Sequence, residues 1–545
     1  MGNNRVSLRP SNSGVNGDIR SWQRARVVSP ESWMFAFVAA MMSVMIIAPL
    51  VMLLYGSLTA KPLGEFNLDF TLENFVQFFT SQRLLGAFWN TVKISVATTV
   101  CGGLFGLLMA WLVVRTNIPM ARTLRFGLMA PFFLSPVIGA LAWITLTGRG
   151  AGPVNRLLDF IGMPMINLQS VGGIIFIMSL YYAPYMFIFV SSAMENMEAS
   201  LEEAGAMSGL NRRQVMWRIT LPLMGPAVLS GLVLTFVSAM GQFGIPALLG
   251  TPINFLVMTT YIYDLTLVFP SRFNLAAALA IVLLIVCALV IWLQRRLLSD
   301  RTFTTVAGKG GRHQPVLLGD WRWFFWGVVA LYIFMTAILP IAMLAYVSLI
   351  PLYTGALDFT LLTLRNYIEV LTVNQAAQRA VVNTLILAVG GAMIGVVIGF
   401  ICSFIVLRTR SWYRTGLDYM IMLPAVVPSV VYGISMLWTY IFVPLPIYGT
   451  LWLLLIGYVV GFIPFAYRAI HSSLSQVDKS LDEAATMVGV GWTRRMIEIT
   501  VPLVRPGLLA GWMLLFVIFV RELAVSVFLY APGSEVLPVL VYNKY

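Results

Sequence analysis

The chain has 545 residues, of which 59% are hydrophobic and only 10% charged, with a formal net charge of +13. Soluble domains carry about a quarter charged residues, so an ordinary soluble globule is excluded. The basic residues are spread over alternate short connections between apolar runs, which excludes nucleic acid as partner and implies a lipid bilayer.

Residues 1–32 are basic and rich in Ser, Asn and Gly, with neither an apolar core nor a cleavage site. They are read as a cytoplasmic tail, not a signal peptide. Apolar runs follow near 33–55, 86–114, 124–147, 172–194, 227–250 and 273–297. Each approaches or exceeds the roughly 20 residues that a span requires. Being continuously apolar instead of alternating, they predict helices and not a barrel. A basic linker at 299–321, with Gly308, Gly310, Gly311 and His313, leads to a second set near 322–347, 380–407, 418–442, 450–470 and 507–530. Arg5, Arg9, Arg20, Arg24 and Arg26, Arg115, Arg122 and Arg125, Arg212, Arg213 and Arg218, Arg295, Arg296, Arg301, Lys309 and Arg312, Arg408, Arg410 and Arg414, and Arg494 and Arg495 occupy every second connection. By the positive-inside rule those connections and the N-terminus are cytoplasmic, in a multi-pass protein of a bacterial inner membrane.

The two sets repeat. Ala48-Pro49-Leu50 through Ser57-Leu58 resembles Leu339-Pro340-Ile341 through Ser348-Leu349, and Asn90-Thr91 matches Asn383-Thr384. Pro131 matches Pro424. Since the first set holds an even number of spans, both halves run the same way across the membrane. The predicted fold is an all-α, polytopic membrane bundle of two parallel six-helix-type repeats, 33–298 and 322–545. The second lacks its last helix here, either by loss or by truncation of the chain at Tyr545 in an extracytoplasmic loop. The shorter connection at Val443-Pro444-Leu445-Pro446, facing 150–171, places a length change in an external loop.

Between the fourth and fifth spans the chain reads Leu201-Glu202-Glu203-Ala204-Gly205-Ala206-Met207-Ser208-Gly209, then Ile219-Thr220-Leu221-Pro222. The second half reads Leu481-Asp482-Glu483-Ala484-Ala485-Thr486-Met487-Val488-Gly489, then Ile499-Thr500-Val501-Pro502. Glu203 and Glu483 stand 280 positions apart, as do Pro222 and Pro502. Each copy predicts a short cytoplasmic helix ended by its glycine. Leu201, Ala204 and Ser208 form one ridge, with Glu202 and Glu203 free to meet donors on a partner.

These cassettes resemble the signature of membrane subunits of ATP-binding-cassette importers: Glu-Ala-Ala, three residues, Gly, nine residues, then Ile-x-Leu-Pro. Glu203-Ala204-Gly205, Gly209, Ile219 and Leu221-Pro222 fit with Gly205 for the second Ala; Glu483-Ala484-Ala485, Gly489, Ile499 and Val501-Pro502 fit with Val501 for Leu. The resemblance implies that Glu202, Glu203, Ala204, Gly209, Asp482, Glu483, Ala484 and Gly489 dock two cytoplasmic ATPase subunits, and that an extracytoplasmic solute-binding protein delivers the cargo. Phe243-Gly244-Ile245-Pro246 and Val520-Arg521-Glu522-Leu523 are similar to segments of fused, double-length permeases of the ferric-iron type; thiamine, polyamine, sulfate and phosphonate permeases share much of that plan.

No Gly-x-x-x-x-Gly-Lys-Ser/Thr loop is present, so ATP hydrolysis falls to a separate subunit and the chain is not itself an enzyme. Gly102, Gly103, Gly106, Gly390 and Gly391 lie in apolar helices and predict close helix packing. Cys101, Cys287 and Cys402 lack metal or disulfide spacing, and His313 and His471 have no partner at ligand spacing, so neither metal nor cofactor is expected. Lys93 is placed near a span end, where it can snorkel. Arg521 and Glu522, adjacent in the eleventh span, are read as unable to share one helix face; a pathway role and an interhelical ion pair both remain open. A secondary transporter driven by an ion gradient is the rival class, and it calls for a chain of intramembrane acids that this sequence lacks.

Overall fold

The computed structural model describes residues 30–61, 65, 69–148, 152–197, 199–299, 315–355, 357–409, 411–443 and 446–544. The side chains of 30–32, 199, 212, 299, 479, 482, 483 and 486 are also outside the description. The basic tail, the linker residues Arg301, Gly308, Lys309, Gly310, Gly311, Arg312 and His313, and Gly150, Arg410, Pro444 and Leu445 therefore lie outside the described residues.

Among the described residues regular structure is helical apart from two isolated β-bridges. In a bilayer this is required, because backbone N–H and C=O groups find no water there and must pair within the segment. Eight helices are long and apolar enough to span, and four bent pairs bring the number to as many as twelve. The first repeat holds α1 (Pro30–Ser57), α2 (Gln82–Arg115), α3 (Ala121–Phe133), α4 (Pro136–Leu146), α5 (Val171–Asn196), α6 (Ala199–Met207), α7 (Gly225–Met240), α8 (Gly244–Gly250), α9 (Met258–Leu267) and α10 (Phe273–Ser299). The second holds α11 (Trp321–Ser348), α12 (Gln375–Arg408), α13 (Arg414–Met422), α14 (Ser429–Phe442), α15 (Leu451–Ser475), α16 (Lys479–Met487), α17 (Val501–Arg521) and α18 (Leu537–Lys544).

Two predicted spans are not straight. The run 124–147 is α3 and α4, bent by 96°, and 418–442 is bent by 111° before α14. The cause is local: Pro136 and Pro428 lack an N–H, and Leu134, Ser135 and Val427 are extended. The runs 227–250 and 507–530 also stop early, at Met240 and Arg521, where α7 and α17 end. Residues 537–544, expected in a loop, form α18, the counterpart of α9. Lys93 falls well inside α2 and is exposed on its outer face.

The repeats interlock reciprocally. α1 packs against α14 of the second repeat, while α11 packs against α3 and α4 of the first. Tyr332 Oη of α11 donates to the Leu180 carbonyl of α5 at 2.7 Å, and the Tyr55 ring meets Trp438 edge-on at 6.4 Å. Within each repeat the second helix lies along the fourth, α2 on α5 and α12 on α15.

The matched Asn-Thr pairs do the same work twice. Asn90 Nδ2 donates to the Leu256 carbonyl (3.0 Å) and Thr91 Oγ1 accepts from Met258 N (2.7 Å). Asn383 Nδ2 donates to the Glu535 carbonyl (2.9 Å) and Thr384 Oγ1 accepts from Leu537 N (2.9 Å). Each pair anchors the backbone just before a short helix, α9 or α18, satisfying groups that an interrupted helix leaves unpaired.

Candidate coupling helices and central cavity

Both cassettes form the predicted short helix and end it alike. Gly209 has φ +84° and Gly489 φ +80°, the left-handed conformation that costs a residue with a Cβ about 1–2 kcal/mol. Leu210 N then donates to the Gly205 carbonyl (3.2 Å) and Val490 N to the Ala485 carbonyl (3.1 Å), closing each helix. We expect Gly209→Ala and Gly489→Ala each to lower the melting temperature of purified protein slightly, and to increase amide exchange locally in α6 or α16. Unchanged exchange in both variants would contradict the cap assignment.

A π-turn follows each cassette, Met216–Thr220 and Met496–Thr500, again 280 residues apart. Pro222 and Pro502 come two residues later and bring no N–H, so the ladder is shifted: Leu221 N donates to the Met216 carbonyl and Val501 N to the Met496 carbonyl. At Gly205, the departure from the signature, a Cβ would meet Ile219 Cδ1, the movable end of a side chain. Its counterpart Ala485 is buried.

The structure divides the two acids of the first cassette. Glu203 is exposed. Glu202 points back into its own chain instead of outward: its carboxylate accepts from Arg115 (3.0 Å), at the end of α2, and from Thr220 Oγ1 (2.6 Å). Arg115 is only 6% exposed. This anchor escaped the sequence reading, although Arg115 and Arg408, 293 positions apart, both close a second helix. Arg408 donates to the Leu474 and Val477 carbonyls, at 3.3 and 2.6 Å. Asp482 and Glu483 lie on helix α16, and their side chains are outside the described residues. Asp478 immediately precedes that helix; the Ser480 N–H and hydroxyl hold its carboxyl below the usual range. Ala204 and Ala484 are exposed, and Met207 and Met487, also missed, are each 84% exposed.

On the cassette side the chain after the linker returns to this anchor. Val316 N donates to the Arg115 carbonyl (2.8 Å), and Asn117 N donates to the Val316 carbonyl (3.2 Å).

The breaks of the bent and shortened spans converge on a cavity of about 190 Å³ lined by both repeats. Ser135, Pro136, Gly241 and Gln242 come from the first repeat, and Pro428, Ser429, Arg521 and Glu522 from the second. Because α17 ends at Arg521 and Glu522 is extended, the helical-face argument against joint action does not apply, and both residues reach the same cavity. Arg521 crosses to the first repeat, donating to the Phe132 carbonyl and standing 5.0 Å over the Phe132 ring. Glu522 accepts from Val525 N (2.9 Å). The 280-residue offset pairs Gln242 with Glu522 and Gly241 with Arg521, a signal present in the sequence but overlooked. Gln242 lies within 3.1 Å of the Tyr182 hydroxyl. The repeats thus build one cavity with its charges on one side only. No three His, Cys, Asp or Glu residues cluster among the described residues.

Comparison with known proteins agrees with this arrangement. The family described as binding-protein-dependent transport system inner membrane component matches twice, over residues 102–302 and 395–544. A probable ABC transporter permease protein of Sinorhizobium fredii is 26% identical over 475 residues, covering 85% of this chain and 82% of that one. A ferric transport system permease protein of Actinobacillus pleuropneumoniae is 27% identical over 491 residues, covering 87% and 69%. A solved bacterial ABC transporter for import of the acidic polysaccharide alginate aligns at 23% identity and TM-score 0.43, covering 51% of this chain and 100% of that one. Two family matches on one double-length helical chain place it plainly: it belongs to the binding-protein-dependent transport system inner membrane component family, as the membrane permease subunit of an ABC importer.

Proposed function

We propose that this permease imports ferric iron, with 33–298 and 322–545 as its two working halves and the cassettes facing the cytoplasm. The observation that carries the mechanism is the doubled cassette, in which two short helices end on left-handed glycines and are followed by identical π-turns. Glu203, Ala204 and Met207, with Glu483, Ala484 and Met487, form two equivalent docking surfaces for a pair of ATPase subunits. An exposed methionine beside small residues suits insertion into a partner's groove. A solute-binding protein on the opposite side presents the cargo. Closure of the ATPases draws the cassettes together, and differential affinity for the two states of the permease shifts its equilibrium.

The iron reading is supported by a ferric transport relative that spans 87% of this chain. Hard Fe³⁺ prefers oxygen ligands, and among the described residues Glu522 is the one carboxylate lining the central cavity. Iron therefore crosses that cavity as a chelate or a briefly held ion, not in a multi-carboxylate site.

The test is uptake of radioactive iron into proteoliposomes holding the permease, its ATPase and its binding protein. Wild type should accumulate iron only with ATP, while Glu203→Ala/Glu483→Ala should lose uptake at least tenfold and still insert. Full uptake by the double variant would sink the docking assignment, and uptake without ATPase would favour a gradient-driven carrier. Transport of an oxyanion or an amine in place of iron would redirect the cargo.

A further inference from the structure

Among the described residues Arg521 is the one cation lining the central cavity, and neutral groups hold it there. The residue closes α17 and is half-buried. Its guanidinium donates to the Phe132 carbonyl of the other repeat and lies over the Phe132 ring. That carbonyl sits in the last turn of α3, and the residue four on, Pro136, brings no N–H to it. No ion pair holds Arg521 among the described residues. Glu522, the next residue, turns its carboxylate onto its own backbone, accepting from Val525 N at 2.9 Å. A third group is left over. Tyr432 of α14 lines the same cavity and is only 3% exposed, yet its hydroxyl has no hydrogen-bond partner among the described residues. A buried donor left without a partner is costly, which makes this hydroxyl available to a ligand oxygen. The first repeat offers no such arm. Gly241, the counterpart of Arg521, lies against the opposite break, where a Cβ would stand 2.9 Å from Pro428 Cβ.

We propose that Arg521 and Glu522 together select a cargo bearing both an anionic oxygen and a cationic metal centre, a ferric carboxylate or ferric phosphate complex. The inference rests on the ferric reading above and names the form in which the iron crosses. An oxygen of the complex takes the place of the Phe132 carbonyl on Arg521, and Tyr432 donates to the same ligand. A carboxylate or phosphate presents two charged oxygens to the guanidinium fork, a better matched partner than one neutral carbonyl. Glu522 then faces the metal centre. Each charge rejects what the other would accept: Arg521 opposes a bare cation, and Glu522 opposes an anion that carries no metal. Displacing the Phe132 carbonyl also releases a contact between the repeats. Bound cargo therefore favours the state in which the halves part, through its differential affinity for that state.

Equilibrium dialysis of radioactive ferric citrate, and of radioactive citrate without iron, against the purified full chain in detergent reads the site. Wild type should retain ferric citrate and bind citrate alone about tenfold more weakly. Arg521→Gln should lose ferric citrate by about tenfold or more. Glu522→Gln should keep ferric citrate and bind citrate alone more tightly, closing the gap between the two. Tyr432→Phe keeps the ring beside Gly461 and should weaken both ligands about fivefold. If Arg521→Gln does not fold, Arg521→Lys carries the test: it keeps the charge, loses the fork and should bind ferric citrate more weakly. No binding by wild type, unchanged binding in the Arg521 variant, or displacement of ferric citrate by the compact cation hexaamminecobalt(III) overturns the site. Iron uptake in the reconstituted system separates the two ideas. Uptake that persists in the Arg521 variant leaves the ferric cargo standing and removes this site. Binding that depends on Arg521, without iron uptake by wild type, keeps the site and removes the cargo reading.

Discussion

Gly106→Ala should destabilise the protein strongly, while Gly399→Ala, at the equivalent place in the other repeat, should be neutral or mildly stabilising. Both glycines sit where the second helix of a repeat crosses the fourth. At Gly106 a Cβ would stand 2.5 Å from the Ala183 carbonyl oxygen, 2.7 Å from Met186 Cβ and 3.0 Å from Phe187 N. Two of these atoms are backbone, so relief requires moving α5 as a body. Overpacking costs about 1–3 kcal/mol when side chains can yield, and here they cannot, so the effect belongs at or above the top of that range. At Gly399 the nearest atoms are Ile470 Cδ1 and Tyr467 N, both at 3.5 Å, which is ordinary contact. Alanine there gains up to about 1 kcal/mol of helix propensity. Thermal unfolding of the purified variants, followed by size-exclusion chromatography, reads the difference. Equal melting temperatures would show that the two crossings are interchangeable.

Arg115→Ala should release α6, the first candidate coupling helix. The change takes Arg115, which was almost fully buried, away from the Glu202 carboxylate, which keeps its hydrogen bond from Thr220. Breaking a buried ion pair from one side costs about 3–5 kcal/mol. Glu202 is 24% exposed, so water recovers part of that and the loss should fall below this range. The local signature is sharper than the global one: amide exchange should accelerate across 199–209 and leave α2 and α5 protected. Under the proposed docking, transport should fall further than stability does, because force from the ATPase would reach α2 through this contact. Glu202→Gln, which keeps the hydrogen bond to Thr220, should be milder. A double-mutant cycle between Arg115 and Glu202 measures their coupling; strict additivity would show that the pair holds nothing in place.

The central pair Arg521 and Glu522 shows how far sequence patterns reach. Their charge in an apolar run marked them for function, since ionisable groups within a membrane are costly. Their geometry was misread because the apolar run continues past the end of the helix. Hydropathy reports lipid compatibility over about twenty residues and is blind to a backbone break inside protein. The same blindness straightened the runs at Ser135-Pro136 and Val427-Pro428, although both prolines were visible. Irregular backbone at membrane depth is tolerated where it is buried or lines a cavity, and whether it does so depends on the neighbouring repeat.

Residues near in the chain, or related by the repeat, were legible from sequence alone. Composition required a membrane helical bundle, the 280-residue offset revealed the duplicated cassettes, and Gly209 and Gly489 marked where both helices end. These features depend on local chemistry: apolar length, a missing N–H, a missing Cβ. Tertiary structure alone decided which groups meet across long separations. It turned Glu202 inward to Arg115, carried Arg521 over to Phe132, and brought Tyr263 beside Tyr542. The physical reason is that each such contact is set by how whole helices pack, and a helix places its side chains by the partner it lies against.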